Sequence, residues 1–282
     1  MNIKAFIQRH CVVTYFVIAF LISYGGFLVV VGPKLLRGEA MQSMDAFLLF
    51  PVIIVGVCLA GITLTGVVDG RSGLRDLFSR MGRWRVGVQW YAVALLTPPV
   101  LILAVLLTFR TLVSPVFTPH FFPIGILFGL APGLFEEVGW MGYAFPRMHL
   151  QRNALSASLL LGVLWGLWHA PVVDYLGVAT PHGVYWLPFF LAFIALVTAM
   201  RVLIVWVYSN TRSVLLAQLM HASSTGFLVI LAPLSISPAQ ETLWYAVYAA
   251  VLWIVVALVV ARYGKRLVRQ PIEVQTMETA MK

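Results

Sequence analysis

Long apolar runs that carry almost no charge recur along the whole chain of 282 residues. A helix of about 20 such residues spans the hydrocarbon core of a bilayer. About eight segments reach this length, namely 11–31, 46–67, 88–109, 121–146, 157–177, 186–208, 213–232 and 242–261. Their apolar residues follow one another without the alternation of a transmembrane β-barrel. The sequence therefore predicts an all-α, polytopic integral membrane protein of about eight transmembrane helices.

The composition excludes the other classes of chain. Hydrophobic residues make up 61% of the sequence and charged residues 10%, whereas soluble domains contain roughly 45–50% and 25%. Disordered chains, collagens and small disulfide-linked domains have different compositions again. The two cysteines, Cys11 and Cys58, both fall in predicted spans, so we expect neither a disulfide framework nor a cysteine metal site.

The basic residues divide unevenly between the two sets of loops. Most of the 19 Lys and Arg residues fall on one side of an eight-span arrangement. The opposite side carries only Lys34, Arg37 and Arg110, and Arg201 lies inside the sixth span. The positive-inside rule then places both termini in the cytoplasm. We therefore assign the net charge of +9 to topology, and we expect a lipid bilayer rather than nucleic acid as a partner.

The predicted domains follow from these spans. Residues 1–10 form a cytoplasmic N-terminus, residues 11–262 a transmembrane helical domain and residues 263–282 a cytoplasmic tail. The first span is expected to be a retained anchor, because its apolar run is too long for a signal peptide. Because no added soluble domain is apparent, we expect the protein in a bacterial plasma membrane.

The loop at 68–87 combines arginines with apolar residues at helical spacing. The apolar residues are Leu74, Leu77, Phe78, Met81 and Trp84. This pattern is typical of a helix that lies on anionic lipid. Such a helix would serve either as a plain membrane anchor or as a face on which a substrate docks.

Four ionisable side chains within the predicted spans are candidates for a functional site. Glu136 and Glu137 are adjacent in the fourth span, His169 lies in the fifth and His221 in the seventh. A charged side chain near the bilayer centre costs roughly 2.5–3.5 kcal/mol on insertion scales, so such residues usually face a cavity and mark a functional site. Because the four come from three separate spans, we expect them to converge on one buried pocket.

These residue types suit the attack of water on an amide. A carboxyl removed from water can act as a general base near neutral pH. A histidine can donate a hydrogen bond to a developing oxyanion or ligate a metal. Adjacent helical residues point about 100° apart, so only one of Glu136 and Glu137 is expected to face the reacting atoms.

Three nearby residues have less specific roles. Trp165 lies one turn before His169, and Thr225 lies one turn after His221. Each of these two neighbours either orients its histidine or only packs against it. Arg201 is late in its span, and we expect it to extend to the cytoplasmic interface.

A zinc site is compatible with the same residues. Glu136, His169 and His221 match the His₂Glu ligand set of several catalytic zinc enzymes. However, the sequence has no HExxH motif, and each residue comes from a different helix. Activation of water by a glutamate without metal and zinc-assisted hydrolysis are both open, so the expected cofactor is either none or zinc.

Three motifs resemble those of the CPBP family of intramembrane proteases. The run EEVGWMGYAFPR at 136–147 resembles the family signature, WGLWHAP at 165–171 its aromatic-xxx-His motif and HASST at 221–225 its third motif. The family includes the type II CAAX prenyl endopeptidases and bacteriocin-immunity proteins. Because the three motifs follow in order on three predicted spans, the resemblance implies a CPBP-like core at about 121–232.

The resemblance also implies an activity and a role for each motif residue. The chain would be an intramembrane endopeptidase that cleaves a peptide bond of a membrane-associated protein or peptide, with prenylated CAAX-type proteins among the candidates. Glu136 would activate water as the general base, and Glu137 would buttress the site. His169 would assist the water or the first carboxylate, and His221 would help to form the oxyanion hole.

Two positions depart from the family pattern. Met141 stands where the family commonly has an arginine, and Thr225 stands where it commonly has an asparagine. The first change removes a cation that would keep a carboxylate ionised, and the second replaces an amide by a single hydroxyl. A non-catalytic immunity or scaffold protein of the same fold is therefore the alternative. A proton-coupled transporter also uses intramembrane carboxylates, but no repeated pair of broken helices is apparent.

Overall fold

A computed structural model describes residues 3–39, 43–175 and 181–268. Its α-helices are α1 (Ile3–Arg9), α2 (Cys11–Leu36), α3 (Ser43–Met81), α4 (Val88–Leu112), α5 (Gly125–Gly139), α6 (Phe145–His149), α7 (Ala154–Trp168), α8 (Trp186–Thr211), α9 (Val214–Ile230) and α10 (Pro238–Tyr263). Short 3₁₀ turns lie at Pro115–Phe117, Ala170–Tyr175 and Gly183–Tyr185, and a π-helical turn lies at Trp140–Ala144. No β-strand occurs in the described ranges. The all-α prediction is confirmed.

Five of the ten described α-helices have the length and composition of membrane spans. Five stretches are long and apolar enough to cross a bilayer, namely Cys11–Leu36, Leu48–Met81, Val88–Leu112, Gly183–Thr211 and Pro238–Tyr263. Two further apolar helices, α7 and α9, are shorter. α5 continues through the π-helical turn into α6 and so forms one longer unit. These units correspond to the spans that the hydropathy pattern predicts, and the polytopic membrane fold is confirmed.

The fifth predicted span, 157–177, differs most from the observed helix. α7 begins at Ala154, because the side chain of Asn153 accepts a backbone N–H of the first turn at 2.9 Å. It ends at Trp168, because Pro171 follows and proline does not continue an α-helix. The prediction of α-helix is therefore wrong over the 3₁₀ turn, and the last two predicted residues lie outside the described ranges.

The predicted interfacial helix is the second part of α3. The backbone bends at Gly70, whose φ of 67° is a conformation that favours glycine. The helix then continues to Met81. Phe78 is 52% exposed, whereas Leu77 is fully buried and clusters with Val138 of α5. The segment is helical as predicted only as far as Met81, and Trp84 lies beyond the end of the helix. One of its apolar side chains packs on α5 instead of on lipid.

Small residues let α5 approach α9 closely. Gly125, Gly129 and Gly133 recur every fourth residue along the face of α5 that meets α9. A Cβ atom at Gly129 would lie 2.7 Å from the Cα atom of Gly226, which is closer than real Cβ contacts. Membrane helices commonly pack through such small residues, since these let the backbones approach. The row ends shortly before Glu136, so it holds the functional end of α5 beside α9.

A π-helical turn interrupts the helix directly after the glutamate pair. It covers Trp140–Ala144, and turns of this kind are frequent at functional sites. Arg80 of α3 supports it by donating from Nη2 to the carbonyl oxygen of Gly142 at 3.0 Å. The same guanidinium donates from Nη1 to the hydroxyl of Tyr208 at 3.0 Å. α3, the π-helical turn and α8 are thereby joined at one point.

Connections that the charge pattern assigns to one side of the bilayer also contact one another. The hydroxyl of Ser213, at the start of α9, donates to the carbonyl oxygen of Arg83 at 2.6 Å. An ion pair joins Arg147 to Asp69. The segments that follow α3 and α8 are therefore in contact, and α6 contacts α3 just before its bend.

Candidate active site

A cavity of about 300 Å³ lies between α3, α5, α7, α8, α9 and α10. Three of the ionisable residues singled out from the sequence line it, namely Glu136, His169 and His221. Trp165 and Thr225 line it as well. Residues from three separate predicted spans are thus brought together at one cavity.

Glu136 is buried, and its two oxygens have different surroundings. Oε2 accepts the indole N–H of Trp165 at 2.9 Å and the indole N–H of Trp140 at 3.2 Å. Within the described part of the chain, no protein donor reaches Oε1. Two donors therefore hold one oxygen in place and leave the other to accept a hydrogen bond from water.

Glu137 contacts neighbouring helices instead of the cavity. Its side chain is fully buried, and its Oε2 pairs with Nη1 of Arg201 on α8 at 2.7 Å. Its Oε1 lies 2.8 Å from Nδ1 of His221 on α9. The two adjacent glutamates thus point in different directions, as the geometry of a helix requires.

The expectation that Arg201 extends to the membrane interface is wrong. Its side chain has 0% exposure, and its Cζ lies 4.2 Å from the ring centroid of Trp165. A buried charge needs a partner of opposite sign, and Glu137 is that partner. The two residues are 64 positions apart, so no local spacing in the sequence indicates the pair.

Glu137 fixes the orientation of His221. A carboxylate that is paired with an arginine accepts hydrogen bonds, so the proton of this histidine is assigned to Nδ1. Nε2 is the ring nitrogen left for the cavity that His221 lines. A carboxylate in this position also stabilises the imidazolium form, as it does in hydrolase triads.

His169 follows the last residue of α7 and lies among aromatic rings. Its Nδ1 donates to the carbonyl oxygen of Trp165 at 2.8 Å. The ring centroids of Trp168 and Phe193 lie 4.8 Å and 5.1 Å from its own. The bond to the carbonyl assigns the proton to Nδ1 and leaves Nε2 as a hydrogen-bond acceptor.

Trp165 connects more of the site than its position in the sequence suggests. Its indole N–H binds Glu136, and its carbonyl oxygen binds His169. The centroid of its ring lies 4.9 Å from that of His221. The guanidinium of Arg201 lies over the face of the same ring. The tryptophan therefore contacts ionisable residues from three other segments, and its role is to orient as well as to pack.

Trp140 is a residue of the site that the sequence motifs did not single out. It follows Glu136 by four residues, so the two side chains lie one helical turn apart. Its ring packs edge-on against Trp168 with centroids 5.7 Å apart. The spacing from Glu136 is a signal that was available in the sequence.

The two departures from the family pattern have different surroundings. Met141 is fully buried within the π-helical turn, where it contributes an apolar side chain to the core. Thr225 is half-buried and lines the cavity one turn beyond His221. Only the second departure is therefore in direct contact with the space that a substrate would occupy.

The remaining wall of the cavity is largely apolar. It includes Leu49, Phe50, Ile53, Phe128, Leu228 and Trp244. A cavity of this kind holds an apolar ligand by its walls, while a few polar groups fix the orientation of one bond. Ser224, Glu241 and Tyr245 also line the cavity, beside the glutamate and the two histidines whose residue types can activate water and stabilise an oxyanion.

The predicted zinc ligands are not arranged as a metal site. Among the residues that the structure describes, no three His, Cys, Asp or Glu side chains are placed to hold a metal ion. Metal-binding histidines commonly donate Nδ1–H to a carboxylate or a backbone carbonyl, as His169 and His221 do here, so these hydrogen bonds do not decide between the two reactions. Because no metal cluster is present among the described residues, we derive no chemical step through a metal.

Comparison with known proteins gives two similarities. A family model described as type II CAAX prenyl endopeptidase, Rce1-like, matches residues 118–227. CAAX prenyl protease 2 of Methanococcus maripaludis is 30% identical over 191 residues, which cover 62% of this chain and 65% of that protein. The chain thus spans slightly less than two thirds of the curated relative. The region matched by the family model contains all four ionisable residues that the motifs single out.

Proposed function

We propose that this protein is an intramembrane endopeptidase, because residues 118–227 match the model of the Rce1-like family of type II CAAX prenyl endopeptidases. It hydrolyses a peptide bond of a membrane-associated protein or peptide, and prenylated CAAX-type peptides are the first substrate class to test. The observation that carries the proposal is that Glu136, His169 and His221 line one cavity with largely apolar walls.

Glu136 is the general base of the proposed reaction. A water molecule bound to Oε1 gives a proton to this carboxylate while its oxygen attacks the scissile carbonyl carbon. Trp140 and Trp165 hold Oε2, so the carboxylate keeps its orientation. When the C–N bond breaks, the protonated glutamate returns the proton to the leaving nitrogen. The products are a carboxylic acid and an amine.

His221 stabilises the oxyanion. Glu137 holds its Nδ1–H, and Nε2–H of the imidazolium donates to the carbonyl oxygen as negative charge develops there. The loss of such a donor lowers the rate of comparable hydrolases by about 10²–10³. The Glu137 carboxylate keeps the imidazolium close to a compensating charge.

His169 orients the attacking water. Its Nδ1 is held by the carbonyl of Trp165, so Nε2 accepts the second O–H of the water. The aromatic rings around it keep bulk solvent from the reacting atoms. A water held between His169 and Glu136 has one proton directed at the base.

The proposal is tested by cleavage of a farnesylated peptide that ends in a CAAX sequence, with the purified protein in liposomes and products identified by mass spectrometry. Glu136→Ala is expected to lower kcat by about 10²–10⁴, because the general base is lost. Glu39→Ala is the control, since Glu39 is exposed between α2 and α3 and pairs with Arg37. Equal cleavage by the wild type and Glu136→Ala contradicts the catalytic assignment.

A second candidate is a non-catalytic immunity or scaffold protein of the same fold. It is favoured by Met141 and by Thr225, which replace two polar residues common in the family motifs. A cellular phenotype that survives both Glu136→Gln and His169→Ala would support this candidate.

The membrane placement belongs to the same proposal: both termini lie in the cytoplasm, in a bacterial plasma membrane. The uneven division of Lys and Arg between the loops supports this orientation. The contacts of Ser213 with Arg83 and of Arg147 with Asp69 support it further, since they join segments assigned to the same side. Reporter fusions at both termini test it, and an external reporter at either terminus contradicts it.

A further inference from the structure

Arg201 is a buried cation inside the helical bundle. Among the residues that the structure describes, it is the one lysine or arginine that is buried. We infer that Arg201 is a positioning residue that fixes Glu137 and, through Glu137, the imidazole of His221. The inference rests on the proposed function, because it assigns a role within the same site.

The carboxylate of Glu137 is shared between two partners. Nη1 of Arg201 lies 2.7 Å from Oε2, and Nδ1 of His221 lies 2.8 Å from Oε1. The guanidinium keeps the carboxylate ionised, and only an ionised carboxylate accepts at both oxygens. Loss of the cation allows Glu137 to become protonated, and Glu137 then no longer accepts the Nδ1–H of His221. The cation therefore keeps Glu137 as an acceptor and, through it, fixes the orientation of His221.

The same guanidinium also contacts Trp165, the residue that binds Glu136. Its Cζ lies 4.2 Å from the ring centroid of Trp165, a distance at which a cation is attracted to the face of an indole. The indole N–H of Trp165 in turn binds Glu136. One side chain from α8 thus holds residues of α5, α7 and α9 in fixed relative positions.

The cation that pairs with Glu137 belongs to another helix and is brought to it by tertiary packing. It does not come from the helix that carries the glutamates. The residue one turn after Glu137 is Met141, which is buried and uncharged. An arginine or lysine at such a position is the usual local partner of a helical carboxylate. In this chain the positive charge reaches Glu137 from α8 instead, so the site does not depend on a cation within its own motif.

A positioning role and a purely structural role for Arg201 predict different kinetic effects of its substitution. Its side chain is not part of the cavity wall, so a positioning role affects kcat and leaves KM nearly unchanged. A positioning role also acts through Glu137, and its effect disappears when Glu137 can no longer accept two hydrogen bonds. A structural role gives losses that do not depend on Glu137.

The test is a double-mutant cycle of Arg201→Met and Glu137→Gln, with kcat and KM measured on the farnesylated CAAX peptide in liposomes. We expect Arg201→Met alone to lower kcat by about 10², with KM changed by no more than about threefold. In the Glu137→Gln background the same substitution lowers kcat by no more than about threefold. Equal losses in both backgrounds, or wild-type kcat in Arg201→Met, overturn the inference.

A second pair of variants covers the case in which Arg201→Met does not fold. Arg201→Lys keeps a positive charge beside Glu137, whereas Arg201→Gln has a similar length without charge. We expect kcat of the lysine variant to exceed that of the glutamine variant by about tenfold or more. Equal kcat values overturn the inference. Absence of cleavage by the wild type contradicts the proposed function itself, whereas wild-type cleavage with unaffected Arg201 variants contradicts only this inference.

Discussion

The indole nitrogen of Trp165 lies 2.9 Å from Oε2 of Glu136 and joins α7 to α5. This bond is made between two buried side chains, and a hydrogen bond to a charged group typically contributes about 1.5–3 kcal/mol. Since Trp165 also accepts the Nδ1–H of His169 through its carbonyl oxygen, it determines where two candidate catalytic groups lie. The geometry of the proposed base therefore depends on a residue that carries no charge.

Replacement of Trp165 by phenylalanine is expected to lower kcat by about 10–100-fold, because the ring is kept while the bond to Glu136 is lost. The measurement is cleavage of the farnesylated peptide in liposomes. Trp206→Phe is the matched control, because no described residue accepts the indole N–H of Trp206. A wild-type rate in Trp165→Phe would contradict the role of this bond.

The contact between α5 and α9 makes a prediction about stability. Gly129→Ala places a Cβ atom 2.7 Å from the Cα atom of Gly226, so we expect the free energy of unfolding to fall by about 1–3 kcal/mol. Gly32→Ala in α2 is the control, because a Cβ atom there meets nothing within 4 Å. Thermal unfolding in detergent measures both variants. Equal melting temperatures of Gly129→Ala and Gly32→Ala would show that the helices are farther apart.

How much of the fold and of the candidate site could be predicted from the sequence depends on how far apart along the chain the interacting residues lie. The membrane spans and the convergence of Glu136, His169 and His221 follow from hydropathy and from polar residues in apolar runs. The bond from Trp140 to Glu136 follows from a spacing of four residues. The pair of Arg201 and Glu137 does not follow, because it depends on how α8 packs against α5.

His182 is a buried histidine outside the membrane spans, in the segment that precedes α8. Its Nδ1 lies 2.8 Å from Oδ1 of Asp174, and its Nε2 lies 3.2 Å from Oε2 of Glu241 in α10. Its ring stacks on Phe189 with centroids 3.8 Å apart. The histidine thus connects the turn after α7 to the start of α10.

The stability that this connection contributes is expected to depend on pH. Burial disfavours the charged form of His182, but the carboxylates of Glu241 and Asp174 outweigh it and raise its pKa. A histidine with a raised pKa stabilises the folded state fully below its unfolded pKa of about 6.5, and this contribution is lost as the pH rises through the folded pKa.

The measurement is the melting temperature of the wild type and of His182→Gln over a range of pH. We expect the difference between them to be largest at acidic pH and to shrink on the alkaline side. A difference that grows with increasing pH would contradict the charged state assigned to His182.

Metal dependence is tested by chelation. Because no three His, Cys, Asp or Glu side chains among the described residues are placed to hold a metal ion, we expect cleavage to continue in the presence of EDTA or 1,10-phenanthroline. Metal analysis of the purified protein accompanies the assay. Loss of activity that added zinc restores would replace the metal-free reaction by zinc-assisted hydrolysis.

The most direct test of the central claim is the cleavage of a farnesylated CAAX peptide in H₂¹⁸O by the wild type and by Glu136→Gln. Glutamine keeps the size of the side chain but does not accept a proton from water. The proposed reaction predicts one ¹⁸O atom in the new carboxyl group of the wild-type product and a rate lower by about 10²–10⁴ for the variant. Product formation by Glu136→Gln at the wild-type rate would contradict it.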